Sequence, residues 1–280
     1  MIKKYVAAAA TSGTVLAVLA PVAAYAAPPV QTITRDGASI TFQRVAAQAT
    51  PRSGTGPTAS DFDGDGLDDI AATARGGVVV RYSSGGHTDY IGKTDGGTAI
   101  TLGAAIAGGD FDNDGYDDLV VGDPTEIDGS NRTAAGGLWI LPGSAGGLRV
   151  SGIRHLNQSS AGVPGTAEGG DEFGGALAAG DVNGDGRADL AVGLPGEGVG
   201  PVTGAGGVVM FLSNAQGVST AGARWLDQGA AYMPGIRRTS IASAASWRSA
   251  TSTTTGTGTW RSPAPARTSG GPGRAAAWST

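Results

Sequence analysis

Apolar residues in this chain come in short runs. Ile70-Ala71-Ala72, Leu119-Val120-Val121 and Leu190-Ala191-Val192 each follow a cluster of acids, and Leu138-Trp139-Ile140-Leu141 and Val208-Val209-Met210-Phe211 each follow a glycine pair. Runs of this length bounded by turn residues predict short, buried β-strands joined by tight turns. The longest apolar stretch, Val6 to Leu19, stands apart. It follows Lys3 and Lys4 and precedes Ala24-Tyr25-Ala26, an order of positive, apolar and small residues that predicts an export signal over 1–26. Cleavage is expected between Ala26 and Ala27, leaving a secreted protein. No other segment approaches the ~20 apolar residues of a transmembrane span.

Composition sharpens the strand reading. Glycine makes up 50 of 280 residues, without the three-residue period of collagen, and each glycine costs a helix interior about 1 kcal/mol. Cysteine is absent and only His87 and His155 are present, which excludes disulfides, thiolate chemistry and histidine-rich metal sites. A net charge of −5 argues against a nucleic-acid partner.

One nine-residue pattern occurs three times, at 61–69, 110–118 and 181–189. Its first copy places Asp61, Asp63, Asp65 and Asp69 at positions 1, 3, 5 and 9, and its second places Asp110, Asp112, Asp114 and Asp118 there. The third has Asp181, Asn183, Asp185 and Asp189. Side-chain oxygens at this spacing, with glycine at position 6 to turn the chain, suit a hard cation taking about six to eight oxygens. Position 7 would add a backbone carbonyl, from Leu67, Tyr116 and Arg187, leaving those side chains free to vary. Position 12 is Ala72, Val121 and Val192, so the bidentate Glu of an EF-hand is missing. Empty Asx-rich turns are the alternative. Against them, 13 of the 24 acids fall in these windows and would repel without a cation. The expectation is up to three structural Ca2+ ions.

The loops lie within longer repeats. Gly136-Gly137-Leu138-Trp139-Ile140-Leu141 recurs 70 residues later as Gly206-Gly207-Val208-Val209-Met210-Phe211, and Arg154-His155-Leu156 recurs at the same interval as Arg224-Trp225-Leu226. Each unit reads as strand, acidic loop, strand, glycine-rich turn and strand, the pattern of a propeller blade. Phe173-Gly174-Gly175-Ala176, then Ala179-Gly180-Asp181 and Gly193-Leu194-Pro195-Gly196, resembles an FG-GAP repeat, the unit of the integrin α-subunit β-propeller and of many secreted bacterial proteins. In the second unit Leu102-Gly103-Ala104-Ala105 and Gly122-Asp123-Pro124 take these places, and in the first the Phe-Gly element is missing. The resemblance implies an all-β, partial propeller of about three blades over 51–235, preceded by a lead-in at 27–50. It also implies calcium bracing one side while other loops bind an extracellular protein or glycan, as in adhesion. Such repeats also accompany hydrolase domains, as in phospholipase D-like enzymes, so an accessory role stands beside adhesion. A non-functional truncated product is a third possibility.

After Gly235 the composition shifts to Ser, Thr, Ala, Arg and Trp. The period places a fourth acidic loop near residue 251, where Thr251-Ser252-Thr253-Thr254-Thr255 stands. Back-translated with codons chosen to carry G or C in most third positions and read one base out of frame, this stretch can encode an Asp-rich loop. Residues 236–280 are therefore expected to be either a frame-shifted tail or a disordered one. Three blades leave open strand edges through which copies could self-associate. No nucleophile elbow, zinc-protease motif or P-loop is present, so no catalytic residue is assigned. His87, in a glycine-rich turn, and His155, past a strand, read as structural or exposed, and Trp139 and Trp225 as packing between blades.

Overall fold

The computed structural model describes residues 29–46, 60–74, 76–93, 102–127 and 133–227. The expected export signal, its cleavage point at Ala26 and Ala27, and the expected tail at 236–280 lie outside the described residues. Every regular element among the described residues is a strand.

The first sheet has five strands, β1 (Gln31–Arg35), β2 (Ala38–Ala46), β3 (Ile70–Ala74), β4 (Gly77–Arg81) and β5 (His87–Gly92), in the order β1-β2-β5-β4-β3. Strands β1 and β2 come from the segment read as a lead-in and extend this sheet outward. A two-residue turn joins them, Asp36 at φ 50° and Gly37 at φ 85°, which matches the right-handed twist of the paired strands. The second sheet is β6 (Ile106–Gly109), β7 (Asp118–Asp123), β8 (Gly137–Leu141) and β9 (Arg154–Leu156), paired in chain order. The third repeats it with β10 (Ala176–Gly180), β11 (Asp189–Leu194) and β12 (Gly207–Phe211). A small hairpin, β13 (Ser213–Asn214) with β14 (Gly217–Val218), follows, and β15 (Arg224–Asp227) completes the third sheet beside β12. All named pairings are antiparallel. The second and third units each have a fourth, outer strand beyond the three that the sequence pattern predicts, and His155 lies in the middle of β9 rather than past a strand.

The second sheet is covered on both faces. Leu119, Val121, Trp139 and Leu141 pack with Ile40, Phe42, Val78, Val80 and Ile91 of the first sheet. Val120, Leu138, Ile140 and Leu156 pack with Leu190, Val192, Val209 and Phe211 of the third. Residues alternating along one strand enter opposite cores, as a pleated strand requires, which is why β7 reads as an unbroken apolar run. Trp139 is fully buried between sheets one and two, and Trp225 packs against the core shared by sheets two and three.

Polar contacts join the sheets as well. The Arg44 guanidinium makes two 2.7 Å bonds to the Asp89 carboxylate and donates at 2.5 Å to the Leu148 carbonyl in the connection from β8 to β9. The Tyr82 hydroxyl donates to the same carboxylate at 2.6 Å and accepts from the Leu148 amide at 2.8 Å. The Phe-Gly element has a comparable role. Phe173 is buried, and a Cβ on Gly174, at φ 85°, would collide with the Gly137 carbonyl. Leu102-Gly103 fills this place in the second unit, with Leu102 buried and Gly103 at φ 83°.

Candidate metal centre

The second acidic loop links β6 to β7 and the third links β10 to β11, and the first leads directly into β3. Their backbones are shaped by two left-handed residues, at positions 4 and 6: Gly64 and Gly66 at φ 72° and 83°, Asn113 and Gly115 at 62° and 91°, Gly184 and Gly186 at 78° and 86°. Glycine adopts this conformation freely, and asparagine tolerates it better than most residues. The repeated choice at position 4 is a signal that reading only position 6 misses.

This turn brings the carboxylates at positions 1, 3 and 5 together. One oxygen each from Asp61, Asp63 and Asp65 lie within 4.8 Å of one another, as do those of Asp110, Asp112 and Asp114. Backbone amides orient them. The Asp65 amide donates to Asp61 at 3.0 Å, that of Gly66 to Asp61 at 2.8 Å and that of Leu67 to Asp65 at 2.9 Å. Loops two and three repeat these bonds, through the amides of Asp114, Gly115 and Tyr116 and of Asp185, Gly186 and Arg187. In the third loop Asn183 takes the middle place, its side-chain amide donating to Asp185 at 3.1 Å.

Position 9 is built differently. The Asp69 carboxylate accepts from the amides of Phe62 at 2.9 Å and Ser83 at 2.8 Å, closing the loop and tying it to the turn after β4. Asp189 does the same with Val182 and Ser213, at 3.1 and 2.9 Å, and Asp118 accepts from Gly143 at 2.9 Å. Asp69 and Asp118 stand outside the two carboxylate triads. The turn after β4 also supplies two hydroxyls, Ser83 donating to Asp65 and Ser84 to Asp63, both at 2.5 Å.

The loops lie in a row. The Asp61 amide donates to the Asp117 carboxylate at 2.8 Å while the Asp117 amide donates to the Asp61 carbonyl at 2.9 Å. The Ala188 amide meets the Asp110 carbonyl at 2.8 Å in the same way. Position 8 of each later loop therefore clasps position 1 of the one before, a role the spacing within a single loop does not reveal. Tyr116 also reaches across, since a Cβ on Gly64 would run into its ring. Its side chain is less free than a carbonyl donor's needs to be.

Burial without a countercharge dominates the electrostatics. It pushes Asp69 and Asp118 up to about 7 and Asp117 up to about 6, with the neighbouring aspartates adding to the backbone-opposed rise. Asp61, Asp112 and Asp189 shift upward for the same first reason. Three converging carboxylates on pre-aligned backbone form a donor set that a hard, oxygen-seeking cation fits. The third loop has two carboxylates and an amide in place of three carboxylates, which makes its donor set the poorest of the three for a cation; a guanidinium lies 3.9 Å from the position-5 aspartate in both the second loop, Arg149 to Asp114, and the third, Arg187 to Asp185.

The histidines belong elsewhere. His155 is buried, with Nε2 2.8 Å from the Glu126 carboxylate and its ring 4.8 Å from that of Trp139. His87 opens β5 against the Tyr82 ring at 4.4 Å, and burial pushes its pKa down.

Residues 61–121 match the FG-GAP-like repeat family, and residues 102–141 and 173–209 match the FG-GAP repeat family. Over 116 residues, 41% of this chain, it is 37% identical to the rat (Rattus norvegicus) phosphatidylinositol-glycan-specific phospholipase D, covering 14% of that protein. Over 153 residues, 49% of this chain, it is 34% identical to integrin alpha-PS2 of Drosophila melanogaster, covering 10% of that protein. The chain thus spans a small fraction of the curated relatives it matches. The second and third sheets are FG-GAP repeats and the stretch from the first acidic loop into β7 is FG-GAP-like, homologous to the repeats of integrin alpha and of this phospholipase D, and the three antiparallel sheets form a partial β-propeller.

Proposed function

We propose that the chain is a secreted binding module whose sheets are braced by Ca2+ in the acidic loops, with no catalytic chemistry of its own. The observation that carries this reading is the pair of carboxylate triads, Asp61, Asp63, Asp65 and Asp110, Asp112, Asp114, each gathered within 4.8 Å on backbone amides. In this reading the two triads hold the ions, and Leu67 and Tyr116 add carbonyl oxygens. Asp69 and Asp118 lock each loop to its sheet, and the third loop, Asp181 to Asp189, binds last. The ion supplies positive charge where burial pushes Asp61 and Asp112 toward protonation. Export follows from the segment 1–26, and an extracellular protein or glycan is the partner class that a secreted repeat array of low charge density suits.

Calorimetric titration with CaCl2 tests the metal. Two tighter sites and a weaker third are expected, and Asp63→Ala and Asp112→Ala should each remove one of the tighter ones. At about 100-fold excess over Kd, calcium should add ~2.7 kcal/mol, several degrees in Tm. A melt unchanged by excess chelator, together with no binding heat, would sink the reading. Adhesion and an accessory role beside a hydrolase both rest on this binding reading. The likeness to the phospholipase D keeps the second in view, and it predicts that the isolated chain releases no product from a glycosylphosphatidylinositol anchor.

A further inference from the structure

The face that each sheet offers to the next is built to one pattern, and the third sheet carries that pattern on a side where no sheet among the described residues meets it. In the second sheet the face is Phe111, Val120, Leu138, Ile140 and Leu156, all buried in the core shared with the third. At intervals of 70 or 71 residues the same places hold Val182, Ala191, Val208, Met210 and Leu226. Their strand neighbours Leu190, Val192, Val209 and Phe211 fill the shared core, so alternation turns these residues away from it. Val208, Met210 and Leu226 are half-buried, Ala191 is buried, and Val182 is 39% exposed where Phe111 is 0%.

An arginine completes the pattern. Arg44 of the first sheet donates to the Leu148 carbonyl in the connection from β8 to β9, and Arg154 of the second donates to the Val218 carbonyl of β14, in the connection from β12 to β15, at 2.6 Å. Leu148 and Val218 are themselves 70 residues apart, each just past a left-handed glycine. Arg224 stands 70 residues after Arg154, exposed and without a partner among the described residues.

The opposite end of the array has the complementary side open. Leu119, Val121 and Trp139 face the preceding sheet in the second unit, and Leu190, Val192 and Val209 in the third. In the first sheet these places fall to Ile70, Ala72 and Val79, with Tyr90 beside Val79. Ile70 is 65% and Tyr90 43% exposed, and β3 is exposed at four of its five residues where β7 and β11 are buried throughout.

We propose that these two unlike faces pack on each other between two copies of the chain, the third sheet of one against the first sheet of the other. Both halves of the contact are present in a single chain, and each is the repeat equivalent of a contact the chain already makes internally. Because unlike faces meet, the contact is heterologous and closes when the rotation returns to its start. Two copies of three sheets give a ring of six, inside the ~4–8 blades of closed propellers. Arg224 then reaches the turn at 83–86 of the second copy, which follows β4 as 143–147 follows β8. This assembly is independent of the metal reading.

Light scattering and sedimentation equilibrium on the full chain test it. A mass of two copies is expected, falling to one copy with either Met210→Asp or Ile70→Asp. Mixing the two variants should restore a two-copy species, because one intact third-sheet face then meets one intact first-sheet face, which two misfolded variants could not do. A single-copy mass at every concentration, a mass above two copies, a dimer that survives Ile70→Asp, or variants that fail to complement would each overturn the proposal.

Discussion

At the scale of single residues, the acidic loops separate two jobs that the repeating Asp pattern makes look alike. Asp112 sits in a triad with no other sheet to hold, whereas Asp69 accepts two backbone amides from different parts of its sheet. Asp112→Ala should therefore lower Tm in calcium and leave it unchanged in chelator. Asp69→Asn places an amide against an N–H donor in a buried site and should cost about 1–3 kcal/mol in either condition, read by urea unfolding. The pH dependence follows from the raised carboxylates. Asp69, Asp118 and Glu197 at about 7 and Asp117 at about 6 bind protons in the folded, metal-free chain at pH values where the unfolded chain, near ~4, has released them. The stability they confer is full below pH ~4 and lost as pH rises through 6 and 7. In chelator, Tm should thus be higher at pH 5 than at pH 7.5. A cation in the triads would draw the neighbouring Asp69, Asp117 and Asp118 back toward their ionised forms by its charge, so the gain in Tm on adding calcium should be larger at pH 7.5. A chelated Tm that rises across this window would contradict the electrostatic account. The triads were legible in sequence because cation chemistry needs oxygens at fixed spacing along one short loop. Asp117, Ser83 and Ser84 were not, because their roles depend on a neighbouring loop or a turn that chain order places 14 to 56 residues away.

At the scale of elements, apolar runs marked the inner strands, while the outer strands carried weaker signals. Strand β9 is three residues long, and β15 reads as an ordinary polar turn flank until its pairing with β12 is seen. Strands β1 and β2 alternate threonine, serine and glutamine with isolated Ile33, Ile40 and Phe42, so composition alone made them a lead-in. Asp36-Gly37 was the overlooked cue, a hairpin signal between two alternating stretches. These outer strands matter because β2 carries Arg44. Its partner Asp89 is completely buried, and the same guanidinium reaches the connection from β8 to β9. Arg44→Ala leaves a buried carboxylate with only the Tyr82 hydroxyl and should destabilise by about 3–5 kcal/mol in urea unfolding. A loss below ~1 kcal/mol would mean that the pair is solvated in solution and does little to join the sheets.

At the scale of the whole molecule, the array is a chain of nearest-neighbour contacts, and its middle member decides how far a disturbance travels. The second sheet is covered on both faces, its loop clasps the first loop through Asp117 and is clasped by the third through Ala188. Among the described residues the first and third sheets share no core with each other, each packing into a cluster with the second. Stability in such an array is a sum of unit and interface contributions, so sheets at the two ends communicate only through the one between. Trp139→Ala removes the largest fully buried side chain from the interface of sheets one and two and should cost about 3–5 kcal/mol. Hydrogen exchange reads where that loss is felt. Protection should fall in β4, β5, β7 and β8 together, because the second sheet opens with the interface it shares. Val209→Ala, in the other interface, should reduce protection in β11 and β12 while β4 and β5 keep theirs. Equal loss across all three sheets from either substitution would show a single cooperative core instead. In that case the two clusters, though spatially separate, would act as one folding unit joined through the row of loops.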